Sequence, residues 1–130
     1  MQRSNWTEED VYLIAELGHS LHMQGHYREA AVIFQGLVAV DPENRYCLDA
    51  LAAAWLALGK PERAFAHINS LLAREPADLS VRVRRLEAYL QIGKTAAAAM
   101  DFAFLEHLLP AGEIRRLELR LEAARQTQEK

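Results

Sequence analysis

The sequence predicts an all-α fold, an α-solenoid of helix pairs, and a repeat of 34 residues is the main reason. Glycines, alanines and prolines recur at this step, at Gly25, Gly59 and Gly93, at Ala30, Ala64 and Ala98, and at Pro42, Pro76 and Pro110. A fixed period of this length is typical of helical repeats, in which each unit stacks on the next. No segment has the alternating pattern of a β-strand.

Apolar residues within each copy have the spacing of one helix face. In the first two copies they are Ile14, Leu17, Gly18 and Leu21, and then Leu48, Leu51, Ala52 and Trp55. The repeated glycine predicts the end of this first helix, because glycine tolerates a left-handed backbone. The second helix carries the repeated alanine toward the first helix, and the repeated proline predicts its end.

The third copy departs from this pattern. Arg82 stands where the earlier copies have Ile14 and Leu48. Arg85 stands where they have Leu17 and Leu51. Two interpretations are open. Either the third first-helix is rotated or it exposes its arginines. Its apolar face would then run through Leu79, Val83, Leu86 and Leu90.

The two ends of the chain complete a single predicted domain of 130 residues. Thr7 is a candidate N-cap, with acidic residues in the turn that follows it. Near the other end, one apolar stripe predicts a helix that covers the last repeat: Ile114, Leu117, Leu121 and Ala124. The predicted segments are 1–10 before the repeats, repeats at 11–44, 45–78 and 79–112, and a capping helix at 113–128.

Composition excludes several classes of function. The net charge is −3 and both signs are mixed along the chain, so neither nucleic acid nor an anionic membrane is an expected partner. The longest apolar run, Ala50 to Leu58, is too short to span a bilayer. Cys47 is the single cysteine, which excludes an internal disulfide and fits a reducing cytoplasm. We expect Cys47 to be a half-buried filler.

Two short motifs resemble a phosphate-binding loop and a metal site, but both are incomplete. Gly93, Lys94 and Thr95 look like the end of a phosphate-binding loop, but Ala88 stands where that motif requires glycine. His19, His22 and His26 lie along one helix without a carboxylate or cysteine to complete a metal site. No set of residues suggests a catalytic centre. The sequence therefore predicts a protein that is not an enzyme, with no cofactor and no metal.

The repeat resembles the tetratricopeptide repeat (TPR) over residues 11–112. The matching positions are Gly18, Ala52, Leu21, Trp55, Tyr89, and the repeated alanines and prolines. The resemblance implies a right-handed solenoid whose first helices line a concave groove. The residues expected in that groove are Tyr12, Ala15, His19, His22, Tyr46, Asp49, Ala53, Leu56, Val83, Glu87 and Leu90. Such a groove suits an extended peptide or a helix with apolar anchors. The alternative is that some of them only fill space between helices, Leu56 and Leu90 above all.

A narrower resemblance is to the TPR chaperones of type III secretion, of the translocator or the needle type. It is carried by Gln24 to Asp41, which reads QGHYREAAVIFQGLVAVD, and by Glu87 to Gly93, which reads EAYLQIG. The resemblance implies a chaperone of the bacterial cytoplasm that keeps a secreted client soluble before export. It also implies a homodimer, or a small co-chaperone, as further partners.

Two hypotheses follow for function. In the first, Tyr46 and Leu56 anchor the apolar segment of the client, and a charge at Leu56 abolishes client capture without unfolding the chaperone. In the second, the chain is a general TPR scaffold that joins components of a bacterial cytosolic complex.

Overall fold

The computed structural model describes residues 5–128, and this part of the chain folds into seven α-helices with no strand. They are α1 Glu8–Met23, α2 Tyr27–Val40, α3 Arg45–Ala57, α4 Pro61–Arg74, α5 Leu79–Gln91, α6 Thr95–Leu105 and α7 Ala111–Gln128. Between residues 5 and 128, none of these helices is long and apolar enough to cross a membrane. The prediction of an all-α fold is confirmed.

The helices form two compact units. The first unit extends to His67 and contains α1, α2, α3 and the start of α4. The second unit begins at Ile68 and contains the rest of α4 with α5, α6 and α7. Each predicted repeat contains one pair of helices, although α1 and α7 begin before the predicted bounds.

Short polar side chains start three of the helices. The side-chain oxygens of Thr7, Asn44 and Asp78 accept backbone N–H groups at 3.1, 3.1 and 3.2 Å, at the starts of α1, α3 and α5. Asp10 accepts the backbone N–H of Thr7 in return, at 2.9 Å, which completes a capping box. These bonds satisfy donors that have no partner within the helix. The predicted cap at Thr7 is confirmed.

The turn after each first helix has the same geometry in all three copies. Gly25, Gly59 and Gly93 have φ angles of 85°, 73° and 77°. The backbone N–H of the residue that follows each glycine donates to a carbonyl five residues earlier. The accepting carbonyls are those of Leu21, Trp55 and Tyr89, at 2.8, 2.9 and 2.9 Å. This is the Schellman arrangement, which needs a left-handed residue that glycine adopts without strain. The 34-residue glycine step therefore repeats one turn three times.

The first helix pair is packed closely through Gly18. A Cβ atom added there would lie 2.8 Å from Cζ of Phe34, closer than real contacts allow. Phe34 is 1% exposed, and Ala30 and Leu37 are also buried. Removing a side chain of this size from water stabilises a fold by about 2–3 kcal/mol. The small residue at position 18 thus makes room for the ring that fills the core.

The second helices end differently in the three copies. Helix α2 ends at Val40 and α4 at Arg74, just before Pro42 and Pro76. Helix α6 ends earlier, at Leu105, where the backbone N–H groups of Leu108 and Leu109 both donate to its carbonyl at 2.9 and 3.2 Å. Helix α6 therefore ends five residues before Pro110, more than one turn earlier than the predicted stop, because a backbone turn ends the helix first.

The second unit has its core between α5, α6 and α7. The fully buried members are Leu86, Ala98, Leu105, Leu117 and Leu121. Leu79, Val83 and Leu90 pack against this cluster, so the apolar face predicted for α5 is confirmed. The stripe predicted on the capping helix is also confirmed, since Leu117 and Leu121 are buried and Ile114 packs beside them.

Arg82 and Arg85 are neither rotated away nor fully exposed, because both bind Asp101 of α6. Asp101 is 1% exposed. Its carboxylate accepts Nε and Nη2 of Arg85 at 2.9 and 2.7 Å, and Nη1 of Arg82 at 3.2 Å. Arg82 also donates from Nε to the Pro76 carbonyl at 2.9 Å, and its guanidinium lies 4.3 Å from the Phe104 ring centre. This ionic cluster joins α5 to α6 at positions that carry apolar residues in the first copy.

Candidate interaction surface on the first helices

Three of the predicted groove residues meet at one cavity in the first unit. Tyr12, Ala15 and Tyr46 line a cavity of about 290 Å³ between α1 and α3, and Val11 and Cys47 complete its apolar wall. Its polar lining comes from Glu8, Glu16 and Asn44. Tyr12 is 62% exposed and Tyr46 is 45% exposed. This arrangement offers two aromatic rings beside an open apolar hollow with carboxylates at its edge.

Tyr46 is held in place by its position in the first turn of α3. Asn44 caps that turn through the N–H of Cys47. The Tyr46 ring meets the buried Phe34 ring edge-on, with centres 6.2 Å apart. Burial and the nearby Glu16 carboxylate raise the pKa of the Tyr46 phenol above its usual value. The hydroxyl therefore stays protonated at neutral pH and is available as a hydrogen-bond donor.

Cys47 is part of the support of this cavity and not a reactive group. Its side chain is fully buried. Burial first, and then the Asp41 carboxylate, raise the pKa of the thiol to about 11. Since the thiolate is the nucleophile, such a thiol is inert at neutral pH. The prediction that Cys47 is a filler is confirmed, and its burial is deeper than expected.

The histidines of the first repeat make separate local contacts. His19 is exposed, and His22 meets the Tyr27 ring edge-on with centres 5.0 Å apart. His26 lies 3.7 Å from the Glu29 carboxylate. Over residues 5–128 the side chains form no cluster of three groups able to hold a metal ion.

The predicted groove residues of α3 other than Tyr46 lie deeper. Leu56 is 7% exposed and Asp49 is 9% exposed, while Ala53 is half-buried. This burial argues against the hypothesis that a charge at Leu56 separates client capture from folding. An arginine or glutamate there would place a charge among buried side chains, which destabilises the fold itself. Of the two proposed anchors, Tyr46 has the exposed surface that a ligand needs.

The predicted residues of the second unit lie on α5. Val83 and Leu90 are half-buried against the core cluster. Glu87 lies 3.5 Å from Nη1 of Arg84 and 3.0 Å from Nη1 of Arg120 on α7. Glu87 thus already joins α5 to α7, so a ligand would meet a neutralised pair there rather than an isolated carboxylate.

Asp101 is the residue that sequence reasoning missed. The 34-residue step aligns it with Ile33 and His67. It is also the single charged residue of α6. A carboxylate at an apolar position, opposite two arginines that also break the pattern, was a detectable signal of a compensating pair.

Helix pairs that repeat every 34 residues, with one glycine turn in each, give the chain a TPR fold. Neither the protein-family models nor the curated protein sequences give a match to it. Solved structures do match.

PcrH from Pseudomonas aeruginosa is 25% identical, with a TM-score of 0.78 over 95% of this chain and 97% of that one. PcrH in complex with the chaperone binding region of PopD is 24% identical, with a TM-score of 0.79 over 98% and 99% of the two chains.

Two further matches show the same fold at lower identity. The Yersinia enterocolitica type III secretion chaperone SycD, in complex with a peptide of the translocator YopD, is 19% identical with a TM-score of 0.77 over 96% and 99% of the two chains. The first TPR domain of human RPAP3 is 23% identical with a TM-score of 0.72 over 89% and 95%. The predicted resemblance to TPR proteins, and to type III secretion chaperones among them, is confirmed.

Proposed function

We propose that this chain is a type III secretion chaperone that acts without catalysis. It binds an apolar segment of a secreted translocator on the first-helix surface and keeps that client soluble in the bacterial cytoplasm before export. The observation that carries the proposal is the likeness to PcrH over nearly the full length of both chains, including a PcrH structure bound to a segment of PopD.

The cavity between α1 and α3 supplies the physical mechanism. An apolar client side chain that enters it loses its contact with water against Tyr12, Ala15 and Tyr46, which favours binding in proportion to the area covered. Tyrosines suit this role because they offer a large apolar face at low cost in conformational entropy. A client whose apolar segment is covered in this way cannot self-associate through it.

The proposal is tested in two steps, of which the first identifies the client. The tagged chain is recovered from the cells that produce it, and bound proteins are identified by mass spectrometry. A secreted apolar protein in equal amount, insoluble when made without this chain, supports the proposal. A small co-chaperone would appear in the same experiment. Stable cytosolic proteins that need no chaperone would instead favour the alternative, a general TPR scaffold.

The second step tests the surface with matched variants on exposed residues. Tyr46→Glu places a charge in the cavity, and we expect it to weaken client binding about 30-fold, which corresponds to about 2 kcal/mol. Leu13→Glu is the control, because Leu13 is 58% exposed on α1 and does not line the cavity. Equal client affinity for both variants, measured by calorimetry, would exclude this cavity as the binding site.

A further inference from the structure

A second cavity in the first unit, of about 490 Å³, lies on the side of α3 away from Tyr46. Leu51 and Trp55 of α3 line it, together with residues of α2 and of the start of α4. Trp55 follows Tyr46 by about two and a half helical turns, so the two side chains lie on opposite sides of α3. The second cavity is therefore separate from the surface on which a client is proposed to bind.

The lining of this second cavity is apolar and basic. Val38 of α2 adds to the apolar surface of Leu51 and Trp55. The titratable groups in the lining are Arg63 and His67 of α4, and no carboxylate from residues 5–128 lines the cavity. An acidic side chain that enters would therefore meet nitrogen donors and no like charge.

Arg63 is held at the cavity by Trp55. Its guanidinium lies over the Trp55 ring, with Cζ 4.8 Å from the ring centre, and Nζ of Lys60 lies 6.0 Å from the same centre. Neither cation forms an ion pair within residues 5–128. A guanidinium that lies over a ring leaves the N–H donors at its edge available for a carboxylate. Because Trp55 is buried and orders Arg63 before binding, the arginine loses less conformational entropy when a ligand arrives.

The combination of three basic side chains occurs in the second repeat alone. At the positions of Lys60, Arg63 and His67, the first repeat has His26, Glu29 and Ile33, and the third has Lys94, Ala97 and Asp101. Each of the other two repeats thus carries a carboxylate at one of these positions. The basic cavity is a property of this chain that the repeat pattern does not require.

We propose that this cavity binds an acidic side chain and its apolar neighbour, presented by a segment of a second partner protein. The carboxylate accepts N–H groups of Arg63, and Lys60 adds a second positive charge nearby. Such charge-assisted bonds are stronger than those between neutral groups. The apolar neighbour lies against Trp55 and Leu51, where it is removed from water.

The openness of the cavity favours a protein segment over a free small molecule. Gln35, Ala39 and Ala66 line the cavity and are exposed to solvent. A site for a small molecule normally encloses most of its ligand. An open hollow instead covers one side of an anchor residue that a larger partner presents.

This inference goes beyond the proposed function, because it assigns a surface for a partner other than the client. The two surfaces use different residues of α3, so both partners can be bound to the same chain. The assignment does not depend on the identity of the client, and it is tested without one.

A random-peptide phage library tests the specificity of the cavity. The library is first depleted on the Arg63→Glu variant and then selected on the full wild-type chain, so that peptides for other surfaces, including the client surface, are removed. We expect the recovered peptides to share an aspartate or glutamate beside an apolar residue, and to bind the wild-type chain at least about tenfold more tightly than Arg63→Glu. If no peptide survives the depletion, or if the recovered peptides lack an acidic residue, the proposal is overturned.

NMR spectra of the isotope-labelled chain locate the bound peptide. The indole N–H of Trp55 and the backbone amides of 35–39 and 63–67 should shift, and the amide of Tyr46 should not. Arg116→Glu is the matched control, because Arg116 is exposed on α7, does not line the cavity and undergoes the same change in charge. This control should keep its affinity within about twofold, since distant exposed charges are screened by salt. Shifts centred elsewhere, or an equal loss of affinity in both variants, would contradict the assignment.

Discussion

The first and third repeats place different chemistry at equivalent positions. In the first repeat the positions are occupied by Ile14, Leu17 and Ile33, and in the third by Arg82, Arg85 and Asp101. In the third repeat these side chains bind one another across α5 and α6, so charged residues replace apolar ones on both helices of the pair. The difference teaches that the TPR pattern fixes where two helices touch, whereas the kind of contact can change if its members change as a set.

The ionic version of this contact has a different energetic character. An apolar contact loses stability gradually when one member is trimmed, because each methylene contributes about 0.8 kcal/mol. A buried ion cluster depends on all of its members, because one missing charge leaves the others desolvated and unpaired. The third repeat should therefore be more sensitive to single changes and less sensitive to a complete exchange.

The largest effect is expected at Asp101. The variant Asp101→Asn keeps the size of the side chain but removes the charge that binds Arg82 and Arg85. We expect the free energy of unfolding to fall by about 3 kcal/mol, at the low end for buried pairs because the arginines are partly exposed. Urea unfolding followed by circular dichroism measures this.

A surface pair provides the control for Asp101. The Arg115 and Glu118 side chains lie 2.6 Å apart on α7, and both are more than half exposed. Glu118→Gln should cost less than about 1 kcal/mol, as is usual for exposed ion pairs. If Asp101→Asn cost no more than this variant, the cluster would be structurally unimportant.

The exchange of the whole set sharpens the comparison. The triple variant Arg82→Ile, Arg85→Leu and Asp101→Ile carries the residues of the first repeat. It should recover most of the stability that Asp101→Asn loses, because no charge is left unpaired. A triple variant as unstable as the single one would mean that the surroundings in the second unit, and not the set itself, require the charges.

Much of the fold could be predicted because its signals are local. The cap at Thr7 and the turn at Gly25 each depend on residues within about one helical turn. The 34-residue period then predicts the same turn at Gly59 and Gly93. Asp101 was not predicted, because its partners are 16 and 19 residues away in sequence. Comparison across the three copies at that position would have found it.

The candidate surface was harder to predict than the fold. Tyr12, Ala15 and Tyr46 line one cavity in the structure, but Leu56 on the same helix as Tyr46 is buried. Groove and core residues of a first helix differ by one or two positions in sequence. Which of them stays exposed depends on the neighbouring helices, and periodicity alone does not contain that information.

A smaller effect is expected for glycines of the first helix pair, whose apolar packing is the other half of the comparison. Gly18→Ala brings a Cβ atom to 2.8 Å from the Phe34 ring, which should cost about 1–3 kcal/mol through overpacking. Gly36→Ala is the matched variant in α2, where the added Cβ meets nothing within 4 Å. It should stabilise the chain by about 0.5–1 kcal/mol, because alanine restricts the unfolded state. Thermal unfolding should show a lower midpoint temperature for Gly18→Ala and a higher one for Gly36→Ala. If both midpoints moved in the same direction, the close approach at Gly18 would not limit the packing.

The smallest effect concerns the second repeat, which is intermediate between the other two because His67 stands where they have Ile33 and Asp101. His67 lines a cavity with Leu51 and Trp55, and burial lowers its pKa below the usual 6.5. The unfolded chain therefore takes up this proton at higher pH than the folded chain, so stability falls as the pH is lowered through 6.5. The variant His67→Ile carries the residue of the first repeat and cannot titrate at this position. Between pH 7.5 and 5.5 its free energy of unfolding should fall less than that of the wild-type chain, by about 1 kcal/mol or less. The difference between the two proteins in urea unfolding isolates the contribution of this histidine from the other titrating groups. If the difference in the free energy of unfolding between the two proteins did not change with pH, His67 would be protonated equally in the folded and unfolded states. The second repeat would then tolerate a charge at the position where the third repeat requires one.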